Sequence, residues 1–503
     1  MIRRSGSCFR PPVQPTAILL CAAAYFGVLL GVAWWTGRKA DSDDYFRGHR
    51  SSPWPVVALG LIGDSLSGVS YISVPGKVAA DRFGYLQVVL GYALGYLVIG
   101  GLLLPVYYRL GLTSIYSYLG TRFGPAAQKT GAAFFLLSRL TGSAARLLLS
   151  IGVFQTFVFG SWNVPFWVTA TAVVGLILLY TLRGGIKTLV WTDTLQSGFL
   201  VLGVLYCLVA LARGLGLDPA TLWGLLRTAP ETTVFNGDWG SPGNFWKQLV
   251  SGAAISVVMT GLDQNNMQKT LSCRSLSDAR KNFALFTPVM VAVNLAILTL
   301  GFLLFRFAAA HGIPVPARTD QLLPTLALGH LGTAGAVLFV LGLTAATFNS
   351  ADSVLTTLTT SFCIDFLGLE SGPKRTEEEN RRIRSRVHVG FALALLAVIL
   401  VFQALSDGMP LIDFVLKAAG YTYGPLLGLF LAGLLTRIRP SGWPIPVVGV
   451  LSMTATACLD RFGPAWFGGY RFGFELLLLN GAMTALGLGI VSRFQTGPGP
   501  TAA

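Results

Sequence analysis

The chain has 503 residues, 53% of them hydrophobic and 12% charged, with a mean hydropathy of +0.63 and a formal net charge of +15. Soluble proteins carry about 25% charged residues, so this composition excludes a soluble globular domain and describes a polytopic membrane protein. The lysines and arginines are spread through connecting segments rather than gathered in a domain, so the basic excess reads as a topology signal and not as a nucleic-acid surface.

Other chemistries are excluded with equal economy. Cys8, Cys21, Cys207, Cys273, Cys363 and Cys458 show no CxxC spacing, and His49, His311, His330 and His388 stand apart from one another. Neither a metal centre nor a dithiol couple is indicated. No GxxxxGK[ST] loop is present to cradle a nucleotide phosphate.

Spans of about 20 apolar residues are predicted at 17–36, 54–75, 85–108, 131–159, 165–182, 190–212, 246–268, 283–308, 333–362, 387–403, 411–435, 443–459 and 472–492. The first follows the basic stretch MIRRSGSCFR and resembles a signal peptide, but it is long enough to span and ends in the interfacial pairs Trp34-Trp35 and Arg38-Lys39. An external segment is expected near 213–245 and a charged one at 370–386. Alternate connections are rich in base: Arg38, Lys39, Arg47 and Arg50; Arg109, Arg122 and Lys129; Arg183 and Lys187; Lys269, Arg274, Arg280 and Lys281; Lys374 to Arg386; Arg437, Arg439 and Arg493. These should be cytoplasmic, placing the N-terminus outside and the C-terminus inside. Arg3, Arg4 and Arg10 pull mildly the other way.

Two spans are predicted to be broken. In the second, Gly60, Gly63, Gly68, Pro75 and Gly76 alternate with Asp64, Ser65, Ser67, Ser70 and Ser73. In the seventh, Gly261, Asp263, Gln264, Asn265 and Asn266 cluster at one end of an apolar run. Irregular backbone at membrane depth is tolerated where it lines a cavity. Matched interruptions five helices apart point to an inverted-repeat transporter with its site between the breaks. Three basic residues also fall within spans. Lys417 follows Asp413 by one turn, an expected local ion pair, whereas Arg139 and Arg146 share a face of the fourth span with no carboxylate at helical spacing.

The ninth span contains TAATFNSADSVLTTLTTSFCID, in which Asn349, Ser353, Thr356 and Thr360 share one helical face. A buried carboxylate and a row of hydroxyls suit a small hard cation. They also suit bonding between helices.

LRGGIKTLVWTDTLQ (182–196), DQNNMQKTL (263–271), SADSVLTTLTTSFCID and GYTYGPLLGLFLAGLL (420–435), in this order, resemble the sodium/solute symporter family, whose members carry sugars, proline, sialic acid, monocarboxylates or iodide with sodium. The resemblance implies an all-α membrane protein of about thirteen transmembrane helices. A LeuT-type five-plus-five inverted-repeat core (about 53–436) would carry an extra N-terminal helix (17–36) and two C-terminal helices (443–492) within a single domain, 1–503. It also implies a first sodium site at Gly63, Leu66, Ala346, Asn349 and Ser350, departing from the family where Asn349 replaces a hydroxyl residue. A second sodium site, as in some relatives, maps to Asp193, Asp352 and Ser353, with Asp352 standing where many members have a small residue. Substrate contacts are expected at Ser65, Ser67, Ser70, Gln87, Asp263 and Gln264. Arg146 matches an arginine that binds a substrate carboxylate in a sialic-acid carrier, and it otherwise pairs with Asp193 or Asp263 or snorkels.

The expected function is thus sodium-coupled symport of a small organic solute into the cell by alternating access, in a plasma or inner membrane. The alternatives are coupling to protons, which Asp64, Asp193 and Asp352 keep open, and transport of a small inorganic anion. A multi-pass membrane enzyme would need an acid–base or metal constellation at an interfacial loop, and none is legible. A sensor would need a signalling extension, and none is legible either.

Overall fold

The computed structural model describes residues 15–38, 41–370, 372, 375–405 and 411–495. Arg3, Arg4, Arg10, Lys39 and Lys374, together with the side chains of Arg183, Asp413 and Lys417, lie outside the described residues. Among the described residues the fold is helical throughout, with one isolated bridge between Ser52 and Cys273.

In chain order the helices are α1 (Pro15–Gly37), α2 (Ser42–Phe46), α3 (Trp54–Ser65), α4 (Gly68–Asp81), α5 (Tyr85–Val98) and α6 (Leu104–Leu110). They continue with α7 (Ser117–Phe123), α8 (Pro125–Phe157), α9 (Phe166–Gly214), α10 (Pro219–Thr228), α11 (Phe245–Ser256) and α12 (Gln264–Leu271). The last are α13 (Leu276–Ala310), α14 (Leu322–Gly329), α15 (Gly332–Ser361), α16 (Glu377–Leu405), α17 (Leu411–Leu435), α18 (Pro444–Trp466) and α19 (Leu476–Phe494). Nine helices among the described residues are long and apolar enough to cross a membrane, and eleven spans result if each of two bent pairs counts as one. Phe166–Leu182 and Gly420–Leu435 are shorter apolar helices.

Both expected breaks are present. Helices α3 and α4 meet at 57°, and the segment Phe245–Gly261 meets α12 at 63°. At the first break Leu66 and Ser67 are extended, although the Leu66 N–H still donates to the Ile62 carbonyl at 2.9 Å. At the second, Asp263 is extended and caps α12, its Oδ1 accepting from the N–H groups of Asn265 (2.9 Å) and Asn266 (3.4 Å). A carboxylate at an N-cap satisfies otherwise orphaned amides and suits the positive end of the helix.

The two spans expected at 165–182 and 190–212 are the two halves of α9, Phe166–Leu182 and Gly185–Gly214, which meet at a kink at Gly185, where φ is +54° and ψ −149°. A side chain there would collide with Tyr45 of α2, so the close approach and the left-handed backbone both require glycine. Helix α1 keeps an exposed apolar surface, with Arg38 stacked over the Trp34 ring at 4.1 Å, as at a membrane interface. Helix α15 is its opposite: every residue from Thr344 to Ser361 is buried. It packs chiefly on α9, α8, α14 and α16, with further contacts to α3.

Candidate functional site

The first cluster lies where the α3–α4 break meets α15 and α9. A Cβ built on Gly63 would lie 2.6 Å from Ser197 Oγ and 2.7 Å from Asn349 Nδ2, so the amide and the hydroxyl press directly against the glycine backbone. Ser197 Oγ accepts from the Gly63 N–H at 2.8 Å and donates to the Gly60 carbonyl at 3.3 Å. Ser350 Oγ donates to the Ala346 carbonyl at 2.9 Å, while Ser143 of α8 donates to the Ser350 carbonyl at 3.0 Å. Asn349 is fully buried, yet neither its Oδ1 nor its Nδ2 has a hydrogen-bond partner. An unpaired buried polar group costs about 1–3 kcal/mol, which a hard cation bound to Oδ1 would offset. The donor set of amide oxygen, hydroxyl and carbonyls suits sodium.

One turn further along α15 is a second cluster, centred on Lys269. This lysine is 1% exposed and therefore does not belong to a cytoplasmic loop, as its place in the basic count had implied. Its Nζ lies 2.5 Å from Asp64 Oδ2, donates to Ser353 Oγ at 2.6 Å, and contacts Asp193 Oδ2. The oxygens of Asp193 and Ser353 that the sequence assigned to a second sodium are thus turned toward an ammonium. Asp352, the third member of that expected set, is held apart. Its Oδ2 accepts from the Tyr180 hydroxyl at 2.8 Å and from Gln196 at 3.4 Å, and its Oδ1 from the Ser353 N–H at 2.6 Å.

In the third cluster two expected substrate contacts, Asp263 and Gln264, have partners inside the protein. Asp263 Oδ2 accepts from Arg139 Nε at 2.6 Å and from the Tyr423 hydroxyl at 2.8 Å, while its Oδ1 caps α12. Its acceptor capacity is spent internally, so it is not free for a solute. Gln264 is likewise used up, donating to the Thr113 carbonyl at 2.7 Å and accepting from the Ile115 N–H at 2.9 Å. Gln87 donates to the Val234 carbonyl and keeps only its Oε1 unpartnered. Ser67 is buried at the start of α4 with no capping bond, and Ser65 and Ser70 are half-buried beside the same break.

Arg146 is different. The two carboxylates it was expected to pair with are taken, Asp193 by Lys269 and Asp263 by Arg139. Arg146 has neither an ion pair nor a hydrogen bond among the described residues. Tyr423, Asp263, Asp64 and Arg139 are its ionisable neighbours, and Tyr85 and Tyr92 flank the same region. A cavity of about 280 Å³ opens beside this cluster, lined by Ile255, Met259, Tyr421, Tyr423, Asp460 and Phe472 among others. Polar anchors in an otherwise apolar hollow are the usual form of a small-molecule site.

Residues 45–442 match the profile described as the Sodium:solute symporter family. The chain belongs to that family. The symporter is accordingly a secondary active transporter in a multi-pass membrane fold, with sodium as the co-transported ion, and not an enzyme. It is similar to the sodium-coupled monocarboxylate transporter 2 of Danio rerio, 26% identical over 83% of this chain and 67% of that protein. It is also similar to the sodium/sialic acid symporter SiaT of Proteus mirabilis, 22% identical over 87% of both chains. A solved structure of a Na+-coupled sialic acid symporter, substrate-bound and outward-open, superposes on the symporter with a TM-score of 0.81 at 18% identity, covering 95% of this chain and 98% of that one. The LeuT-type fold expected from the sequence is the fold of these neighbours.

Four residues of these clusters escaped the sequence reading. Lys269 stands within the quoted DQNNMQKTL run, but a lysine at the end of a span reads as a loop charge until tertiary structure buries it. Tyr423 was visible in GYTYGPLL, whereas nothing in the spacing singled out Ser197 or Tyr180, because a hydroxyl on a long apolar helix has no local signature of its partner.

Proposed function

We propose that the symporter carries a small organic anion bearing a carboxylate into the cell, driven by sodium. The observation that supports the anion is the unpaired Arg146 guanidinium, whose neighbour Tyr423 lines the cavity. A buried cation is costly unless paired, and a planar carboxylate can satisfy a guanidinium through two parallel hydrogen bonds. Among the relatives, one is named for monocarboxylates and another for sialic acid, and both kinds of solute carry this group.

Sodium is assigned to Gly63, Leu66, Ala346, Asn349 and Ser350, on the strength of the contact between Asn349 and the Gly63 backbone and the unpartnered amide. Ser65, Ser67, Ser70 and Gln87 Oε1 remain assigned to the solute's polar groups. The ion ties α3 to α15, and the solute binds the pocket so organised. Coupling demands that each ligand raise the affinity for the other by the same factor. The membrane potential supplies about 2.3 kcal/mol per charge per 100 mV.

Counting both bent pairs and the two short apolar helices gives thirteen spans: the N-terminal helix α1, a five-plus-five core opened by the two broken helices, and α18 and α19, all in one domain. The basic connections then face the cytoplasm of a plasma or inner membrane, with the N-terminus outside. Three donors on Asp352, among them the Tyr180 hydroxyl at 2.8 Å, favour an ionised carboxylate there rather than a proton carrier.

The test is uptake into proteoliposomes of labelled lactate, pyruvate, sialic acid and glucose, each under a sodium, potassium or proton gradient. Sodium-dependent accumulation of a carboxylate is expected. Accumulation of glucose alone would overturn the anion assignment, and uptake indifferent to sodium would overturn the coupling.

A further inference from the structure

Sodium symport explains the Gly63–Asn349 cluster but leaves the Lys269 cluster without a role. Lys269 Nζ carries three protons, and three acceptors surround it: Asp64 Oδ2 on α3, Asp193 Oδ2 on α9 and Ser353 Oγ on α15. Its donor capacity is therefore saturated. Lysine, both aspartates and the serine are all essentially excluded from solvent. Each acceptor comes from a different helix, the arrangement by which a monovalent metal ion would also join them.

A sodium ion bound to Asp193 and Ser353 would occupy the same volume as the ammonium. It would also face a like charge in a medium that screens it weakly. Asp64 and Asp193 bring two negative charges to one positive charge, leaving one negative charge next to Gly63, the immediate chain neighbour of Asp64. Asp352 is a further carboxylate nearby, but its oxygens are met by Tyr180, Gln196 and the Ser353 N–H and not by the Lys269 ammonium.

We propose that Lys269 is a tethered cation standing in place of a second sodium ion, so that the symporter couples one sodium per cycle. This rests on the sodium-symport reading above. The lysine supplies the charge and the cross-helix ties that a second ion would otherwise provide. The driving force is that of a single sodium, and Asp193 and Ser353 act by positioning the helices rather than as ion ligands.

The experiment counts radioactive sodium bound at equilibrium to the purified full-length protein, with no solute present. One ion per chain is expected in the wild type and in Lys269→Arg, which keeps the charge. Two are expected in Lys269→Met, where the vacated oxygens accept an ion, and one again in Lys269→Met combined with Asp193→Asn. Two ions in the wild type would overturn the proposal while leaving sodium symport intact, as would a single ion or none in folded Lys269→Met. No saturable sodium binding by the wild type would instead overturn the sodium reading itself. Should Lys269→Met fail to fold, the wild-type and Lys269→Arg counts decide, because two ions in either is incompatible with an ammonium in that place.

Discussion

The ammonium of Lys269 lies 2.5 Å from the carboxylate of Asp64, so the second half of one broken helix is tied to the first half of the other. Asp64 lies in the last turn of α3, beside the first break, and Lys269 in the last turn of α12, beyond the second. Replacing Lys269 alone would strand two buried carboxylates, an error that typically costs about 3–5 kcal/mol, whereas replacing Asp64 alone leaves Lys269 paired with Asp193. The same logic governs the neighbouring pair of Arg139 and Asp263 and separates both pairs from Arg146, which has no partner.

Arg146→Gln should raise the KM for a carboxylate solute by about 10- to 100-fold, the equivalent of one lost charged hydrogen-bonding pair of about 1.5–3 kcal/mol. Arg146→Lys should recover only part of this, because an ammonium lacks the fork that matches a carboxylate. Concentration dependence of uptake in proteoliposomes measures both. Unchanged KM in Arg146→Gln would exclude the guanidinium from the solute site.

Asn349→Ala should weaken sodium activation by about tenfold or more, the loss of one ligand worth roughly 1.5 kcal/mol or above. It should have little effect on thermal stability in sodium-free buffer, since the amide has no partner inside the protein to lose. Asn349→Ser should restore part of the sodium affinity by returning a hydroxyl oxygen to the same position. Sodium titrations of uptake and sodium-free unfolding curves separate these effects.

Asp263→Ala should be severely destabilising, by about 3–5 kcal/mol, because it strands the Arg139 charge and removes the cap of α12 together. The double substitution Arg139→Gln with Asp263→Asn should be milder than Asp263→Ala, since it leaves no isolated charge. Unfolding of the detergent-solubilised proteins provides the comparison. Equal stability of Asp263→Ala and wild type would show that the pair carries no structural weight.

Gly185→Val should lower stability by at least about 1–3 kcal/mol, the usual cost of a non-glycine residue in a sparsely populated backbone conformation. The clash with Tyr45 adds to it, and Gly185→Ala should be the less harmful of the two. Expression level and unfolding temperature report the difference. Uptake per folded molecule should change less, because the position packs against Tyr45 of α2 and touches none of the proposed ion or solute residues.

Much of the architecture was legible because membrane solvation imposes strong local rules. Apolar runs announce spans, and glycine with polar residues inside a run announces a break, since exposed backbone in lipid is prohibitively costly. The oxygen-rich face of α15 stood out for the same reason, and the four motifs carried the family. Other details depended on distance through space. The sequence separated the two spans of α9, but that the second begins at Gly185 rather than near 190 depends on the close approach of Tyr45 to that glycine.

What the sequence by itself determined is therefore what burial in a bilayer forces on a local pattern: the helical class, the two breaks, and the presence of hard ligands and lone cations at membrane depth. What only the tertiary structure decided is which charge meets which. Lys269 reads as a loop residue until α3, α9 and α15 converge on it, Asp263 reads as a free carboxylate until Arg139 and Tyr423 occupy it, and Arg146 emerges as the unpaired cation by that assignment. The physical reason is that pairing of buried charges is set by contacts between residues more than 70 positions apart, which no local spacing encodes.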